Sequence, residues 1–75
     1  MTRKDYVMIS NIIRETLNDI ARDDEREGVS DRNRAVLAGE RIAVRCLAHR
    51  LGDQLRQDNP RFEMGRFIEA CGLTA

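Results

Sequence analysis

A row of basic side chains is the pattern in this sequence best suited to chemistry. Arginine and histidine recur at spacings of seven, four, four and seven residues: Arg34, Arg41, Arg45, His49 and Arg56. On an α-helix these positions fall within an arc of about 80°, so they would form one continuous stripe. Because arginine binds phosphates and carboxylates through planar, bidentate hydrogen bonds, the stripe is a candidate anion-binding site for nucleic acid or a nucleotide.

The same stripe also has a structural interpretation. Four acidic residues recur every four positions in the preceding segment: Glu15, Asp19, Asp23 and Glu27. Two antiparallel helices would bring the acidic and basic rows together, and exposed ion pairs contribute only about 0–1 kcal/mol each. Ion pairing and anion binding both remain open for the arginines.

A second candidate nucleic-acid contact lies near the C-terminus, where Arg61 and Arg66 alternate with Phe62 and Phe67. Aromatic rings flanked by arginines can stack single-stranded bases. Buried core aromatics explain the phenylalanines more simply. A helix-turn-helix reader of DNA is disfavoured, because the first two helices are too long and the second is too apolar.

No combination of residues predicts catalysis or metal binding. Cys46 and His49 lie three positions apart, but two groups on one helix need further ligands or orienting partners. The acidic run from 23 to 27 lacks the spacing and glycine turn of a calcium loop. Cys46 and Cys71 stand alone, so we expect both to be small buried apolar residues. The sequence therefore predicts a non-enzymatic protein without a cofactor.

The elements that would position these residues are helices. Tyr6, Ile9, Ile13, Leu17 and Ile20 recur at helical spacing and predict a first helix over residues 5–27. Gly28 fits the left-handed position after a helix, and Ser30 can cap the next one. This short turn predicts that the first two helices pack antiparallel.

The second helix, predicted over residues 31–58, carries two apolar faces. The first face should contact helix one: Leu37, Val44, Leu47, Leu51 and Leu55. The other face is the candidate self-association surface: Ala35, Gly39, Ile42, Ala43 and Cys46. Since one helical partner cannot cover both faces, either a third helix or a second copy of the chain must cover one of them.

A third, short helix is predicted over residues 60–71. Asn59 and Pro60 are typical of a helix start, and Gly72 of a helix end. Met64, Phe67, Ile68 and Cys71 form its apolar face, which should complete the core. The predicted fold is a single all-α domain over residues 1–75, a long antiparallel helical hairpin with this helix docked across one end.

Composition limits the possible partners and compartment. Thirteen basic residues, all but Lys4 being arginine, balance thirteen acidic ones, so no global field attracts nucleic acid or membranes. No uncharged segment is long enough to span a bilayer, and the MTRKD start does not resemble a signal peptide. We expect a cytoplasmic protein that does not bind membranes. A chain of this length buries only roughly 60% of its unfolded surface, so self-association would help to stabilise it.

Both ends of the chain resemble a group of small proteins of tailed bacteriophages. Thr2-Arg3-Lys4-Asp5-Tyr6 matches the TRKDY start of that group, and Asp58-Asn59-Pro60-Arg61-Phe62, followed by Phe67 and Ala70-Cys71-Gly72, matches its DNPRF and ACG motifs. The resemblance covers about a quarter of the chain. Met64-Gly65 departs from it, because the group usually has charged residues there. The resemblance implies a phage origin and the cytoplasm of a bacterial host, and it supplies no activity.

Three functional hypotheses follow. The leading one is a homo-oligomeric phage accessory protein that acts as a helical protein-interaction module on a host or phage macromolecule. The alternative is an anion-binding module that grips nucleic acid or a nucleotide signal through the arginine stripe. The third is a structural component of the phage particle.

Overall fold

The computed structural model describes residues 2–26 and 28–73, which form three α-helices and no strand. Helix α1 spans Arg3–Glu25, α2 spans Asp31–Asp58 and α3 spans Met64–Ala70. The long helices α1 and α2 form an antiparallel hairpin, and α3 packs against both of them. The molecule measures 45 × 18 × 16 Å. The predicted all-α hairpin with a short third helix is confirmed.

Helix α1 begins two residues earlier than predicted because Asp5 secures its start. The Asp5 carboxylate accepts hydrogen bonds from the backbone N–H of Thr2 at 3.0 Å and from its hydroxyl at 3.2 Å. These bonds lower the pKa of Asp5. At the other end Arg26 adopts extended backbone, with ψ of 139°, so the helix stops at Glu25. Residue 27, where we predicted the end of the helix and an acidic contact, lies outside the described residues.

Helix α2 begins and ends where its sequence predicts. Gly28 takes the expected left-handed conformation, with φ of 81°. The Ser30 hydroxyl then accepts a hydrogen bond from the backbone N–H of Asn33 at 3.2 Å, which satisfies one of the free donors at the helix start. Asn59 leaves the helix in an extended conformation.

Helix α3 begins four residues later than predicted, because Pro60 occupies a turn rather than the first helical position. The Asn59 carbonyl accepts a hydrogen bond from the N–H of Phe62 at 2.9 Å, and the Asn59 side chain accepts one from the N–H of Arg61 at 3.1 Å. This is a β-turn with proline at its second position, which proline's fixed φ favours. Gly72 ends the helix as predicted, with φ of 82°.

The core lies where the three helices meet. Its fully or largely buried members are Ile13, Ala48, Leu55, Phe67, Ile68 and Cys71. Three of these come from α3 or its C-cap, so the short helix supplies much of the apolar surface that the hairpin buries. The end of α3 is held in place by Leu73, whose N–H donates to the carbonyl of Ile68 at 3.1 Å and whose side chain packs against the core.

The face of α2 that contacts α1 is rotated from the predicted one. Leu47 is 60% exposed, whereas Ala48 is completely buried. The cause is close packing of α3 on Gly52, where an added Cβ would lie 2.7 Å from the Met64 methyl carbon and 3.4 Å from the Phe67 ring. With these small residues turned toward the core, Leu47 lies roughly 105° from the centre of the buried face formed by Ala48, Gly52 and Leu55. The prediction that Leu47 packs against helix one is therefore wrong.

Crossing a bilayer needs a long apolar helix, and within the described ranges no helix meets that requirement.

Candidate interaction surfaces

The outer face of α2 exposes a continuous apolar surface, which we call the outer strip. It comprises seven exposed apolar residues over three turns: Ala35, Val36, Gly39, Ile42, Ala43, Cys46 and Leu47. The three large side chains are 55% exposed at Val36, 53% at Ile42 and 60% at Leu47. At about 100° per residue the seven positions span an arc of roughly 140°, which is wider than a narrow coiled-coil seam.

The outer strip contains all five residues that the sequence predicted for self-association. The alternative in which α3 covers this face is wrong, because α3 docks on the side of α2 marked by Gly52 and leaves the strip exposed. Val36 and Leu47 extend the strip and were missed. Leu47 was assigned to the face that contacts helix one because its helical spacing from Val44 and Leu51 fits that face. Its position, one residue before a buried Ala48, depends on how α3 packs.

Charged residues mark the two ends of the outer strip. Arg32 lies just before it, and Arg50 and Asp53 lie just after it, all exposed and on the same side of α2. Asp53 also lies 3.6 Å from Arg56 one turn further along. The N-terminal end of the strip therefore carries a positive charge, and the C-terminal end carries one charge of each sign.

The arginine stripe lies on the side of α2 where α3 docks. Arg34, Arg41, Arg45 and Arg56 are exposed and His49 is half-buried. Arg41 reaches across the hairpin to Asp24 at 3.6 Å, and Arg56 binds Asp53 within α2. Among the described residues, Arg34 and Arg45 have no acid within ion-pair distance.

The described members of the predicted acidic row account for little of this pairing. Asp19 bonds Arg22 on its own helix at 3.4 Å, and the cross-hairpin partner is Asp24, which was not part of the row. Asp24 takes this place because it follows Ile13, Leu17 and Ile20 on the face of α1 that meets α2. Within the part of the chain that the structure describes, an ion pair thus joins one of the five basic residues to α1, and most of the stripe stays exposed.

The two cysteines differ in environment. Cys71 is fully buried as predicted, and this burial raises the pKa of its thiol. Cys46 is exposed on the outer strip, so the prediction that it is buried is wrong for the isolated chain. Cys46 lies on the face of α2 away from the core, and α3, which docks on the side of Gly52, does not cover it. No group of metal-ligating side chains occurs within residues 2–26 and 28–73.

A third surface is an open hollow between the start of α1 and the α3 region, which we call the aromatic hollow. It has a volume of about 440 Å³. Its wall includes the rings of Tyr6, Phe62 and Phe67, and its rim carries Arg3, Arg61 and Arg66. Phe62 packs between the other two rings, with centroid separations of 5.0 Å and 5.4 Å.

The residues that line the aromatic hollow differ in part from the roles that the sequence predicted for them. Phe67 is 5% exposed and is a core residue, whereas Phe62 and Tyr6 are half-buried and keep ring surface toward the hollow. Arg66 bonds Glu63 at 2.8 Å. Arg61 carries no ion pair with any described residue, and the same holds for Arg3, which the sequence analysis did not single out. Arg3 and Arg61 are far apart in the sequence and line the same hollow only in the folded chain. Local sequence spacing therefore could not predict that Arg3 belongs to this site.

The chain thus presents an outer apolar strip, an arginine stripe and an aromatic hollow, and the lining of the hollow includes no residue of α2. Compared with known protein families, curated proteins and solved structures, the chain matches none.

Proposed function

We propose that this protein is a non-enzymatic helical interaction module that self-associates through the outer strip of α2. The observation that carries the proposal is the exposure of seven adjacent apolar residues on one helix face. Contiguous apolar patches on small proteins usually mark interaction sites. The small residues Ala35, Gly39 and Ala43 would allow a second helix to approach closely.

The charges at the ends of the strip favour an antiparallel arrangement of two α2 helices. If two copies pair about a point between Ile42 and Ala43, Arg32 of each copy lies opposite Asp53 of the other. The same arrangement sets Gly39 against Cys46. A parallel arrangement would place Arg32, and likewise Asp53, against its own like charge. Like-charge contacts disfavour association, so the antiparallel pair is the one we propose.

Burial of the large side chains sets the expected strength of association. About half of each of Val36, Ile42 and Leu47 is still exposed. Withdrawing that half from water would contribute about 1 kcal/mol per side chain. Because a symmetric dimer contains each contact twice, truncating one of these residues to alanine should weaken the dimer by roughly thirtyfold.

Size-exclusion chromatography coupled to light scattering tests the proposal. The wild-type chain should form an oligomer whose mass depends on protein concentration, and Ala43→Glu should be monomeric while remaining helical by circular dichroism. Gln57→Glu is the matched control, because it adds the same charge to the same helix beyond the strip. A wild-type chain that stays monomeric at the highest concentration would contradict the proposal.

We further propose that the oligomer works in the cytoplasm of a bacterial host as an accessory protein of a bacteriophage, binding a host or phage macromolecule. The resemblance of both chain ends to tailed-phage proteins supports this setting. Affinity capture from infected cells, with the Ala43→Glu variant as the negative control, would identify the partner. Recovery of the chain as a stoichiometric component of purified virions would instead support the structural role.

The alternative function is anion binding by the arginine stripe. It is favoured by one observation, the exposure of Arg34 and Arg45 without an ion pair to any described acid. Binding of this kind should weaken steeply with added salt. It should also be lost in the Arg41→Glu, Arg45→Glu double variant, provided that the variant stays helical. Salt-insensitive binding would exclude it.

A further inference from the structure

We infer that the aromatic hollow binds single-stranded nucleic acid, with one base against Phe62 and Tyr6 and the neighbouring phosphates on Arg3 and Arg61. This site is separate from both the outer strip and the arginine stripe. It is complete within one copy of the chain, so it does not depend on self-association.

The wall of the hollow suits a flat, uncharged ring. Phe62 is fixed between Tyr6 and Phe67 at centroid separations of 5.0 Å and 5.4 Å, so its orientation is set before any ligand arrives. The volume of about 440 Å³ is within the range of small-ligand sites and accommodates a base with its sugar. Stacking on aromatic side chains is tolerant of sequence, because every base has a π-face.

The hydrogen bonds at the aromatic hollow leave the Tyr6 O–H able to donate to the edge of a bound base. The Tyr6 hydroxyl accepts a hydrogen bond from the Asn59 side-chain amide at 3.4 Å. Its own O–H is not donated to any described residue, so it can donate to a base carbonyl. This arrangement adds a polar contact to a wall that is otherwise apolar.

The rim supplies the positive charge that a nucleic-acid strand requires. Arg3 extends from α1 and Arg61 from the turn before α3, so the two exposed guanidinium groups come from different elements and flank one hollow. Neither forms an ion pair with a described residue, whereas Arg66 is already held by Glu63. Two phosphate-binding groups around one base site match a strand, in which a phosphate lies on each side of every base. An acidic peptide would satisfy the charges but would leave the ring wall without a planar partner.

The chain carries its own reporter for the test. Tyr6 is the sole tyrosine and there is no tryptophan, so intrinsic fluorescence reports on the hollow. A short oligothymidylate should quench Tyr6 fluorescence, and in anisotropy measurements it should bind more tightly than an abasic strand of equal length. Thymidine monophosphate should bind more weakly than the strand, because it offers only one phosphate.

Charge variants locate the phosphates. In separate titrations over a range of salt, Arg3→Gln and Arg61→Gln should each lower the slope of log K against log salt by about 0.7, the value for one phosphate contact on a single strand. Arg22→Gln, which removes an exposed charge near the other end of α1, should leave the slope unchanged. Phe62→Leu keeps every charge and removes the proposed stacking ring, so it should reduce oligothymidylate binding to the abasic level.

Four results would overturn the inference. The first two are an equal affinity for oligothymidylate and the abasic strand, and unchanged Tyr6 fluorescence when the protein is saturated with oligothymidylate. The third is a loss of oligothymidylate binding in Arg45→Gln alone among the arginine variants. The fourth is displacement of oligothymidylate by an acidic aromatic peptide that binds more tightly. Circular dichroism of each variant confirms that it is folded. If self-association fails while the strand still quenches Tyr6, only the proposal for the outer strip is lost.

Discussion

Two leucines on α2 provide a test of how the helix is rotated. Leu55 is 6% exposed in the core, whereas Leu47, about two turns earlier, is 60% exposed on the outer strip. Truncating Leu55 to alanine removes a buried side chain and leaves a cavity, which should cost about 2–5 kcal/mol of unfolding free energy. The same change at Leu47 leaves no cavity. It removes only the buried two-fifths of a side chain whose full burial contributes about 1.5–3 kcal/mol, so it should cost at most about 1 kcal/mol.

Urea unfolding followed by circular dichroism measures both values, at a protein concentration low enough for each chain to be monomeric. Leu47→Ala should then have its main effect elsewhere, on self-association, which light scattering at higher concentration would detect. The rotation of α2 described above is refuted if the two substitutions lower the monomer's unfolding free energy equally.

Three further predictions concern stability and reactivity. Gly39→Ala should stabilise the isolated chain by about 1 kcal/mol through helix propensity, because nothing outside its own helix lies within 4 Å of the added carbon. Gly52→Ala should gain less, because the added carbon would force the end of the Met64 side chain to move. Urea unfolding measures the unfolding free energy of both variants, and equal gains would contradict the close packing at Gly52. Mild alkylation followed by mass spectrometry should modify Cys46 before Cys71, because burial keeps Cys71 protonated and inaccessible, and equal rates in the folded state would contradict this. The hydrogen bonds that Thr2 donates to Asp5 lower the pKa of its carboxyl group, so they stabilise the folded chain above the ordinary aspartate pKa. This stabilisation is lost as the pH falls through the lowered pKa. The difference in unfolding free energy between wild type and Asp5→Asn, measured by urea unfolding, should therefore disappear in acid.

Local chemistry explains why the helix ends of α2 could be predicted. Ser30 caps its first turn and Gly28 takes the required left-handed conformation, and both effects depend only on adjacent residues. Pro60 shows the limit of such rules. Proline suits both the first position of a helix and the second position of a turn, and the Asn59 side chain decided the matter by bonding the N–H of Arg61.

Tertiary packing explains what could not be predicted about the candidate sites. The outer strip was largely predictable because apolar residues on two faces of one helix exceed what one partner can cover. Leu47 was misplaced because α3 packs on Gly52 and turns α2 about its axis. The aromatic hollow was not predictable from spacing, since Arg3 and Arg61 come together only when α3 docks against α1.

Disulfide cross-linking tests most directly whether two α2 helices meet antiparallel through the outer strip. The Gly39→Cys variant retains Cys46, and residues seven apart on one helix are about 10 Å apart along its axis, too far to bridge within a chain. Mild oxidation should therefore give a covalent dimer joined from residue 39 to Cys46, located by peptide mapping. Gln57→Cys, with its new thiol beyond the strip, should give none. A Gly39→Cys chain that remains uncross-linked, or links only Cys46 to Cys46, would contradict the antiparallel contact.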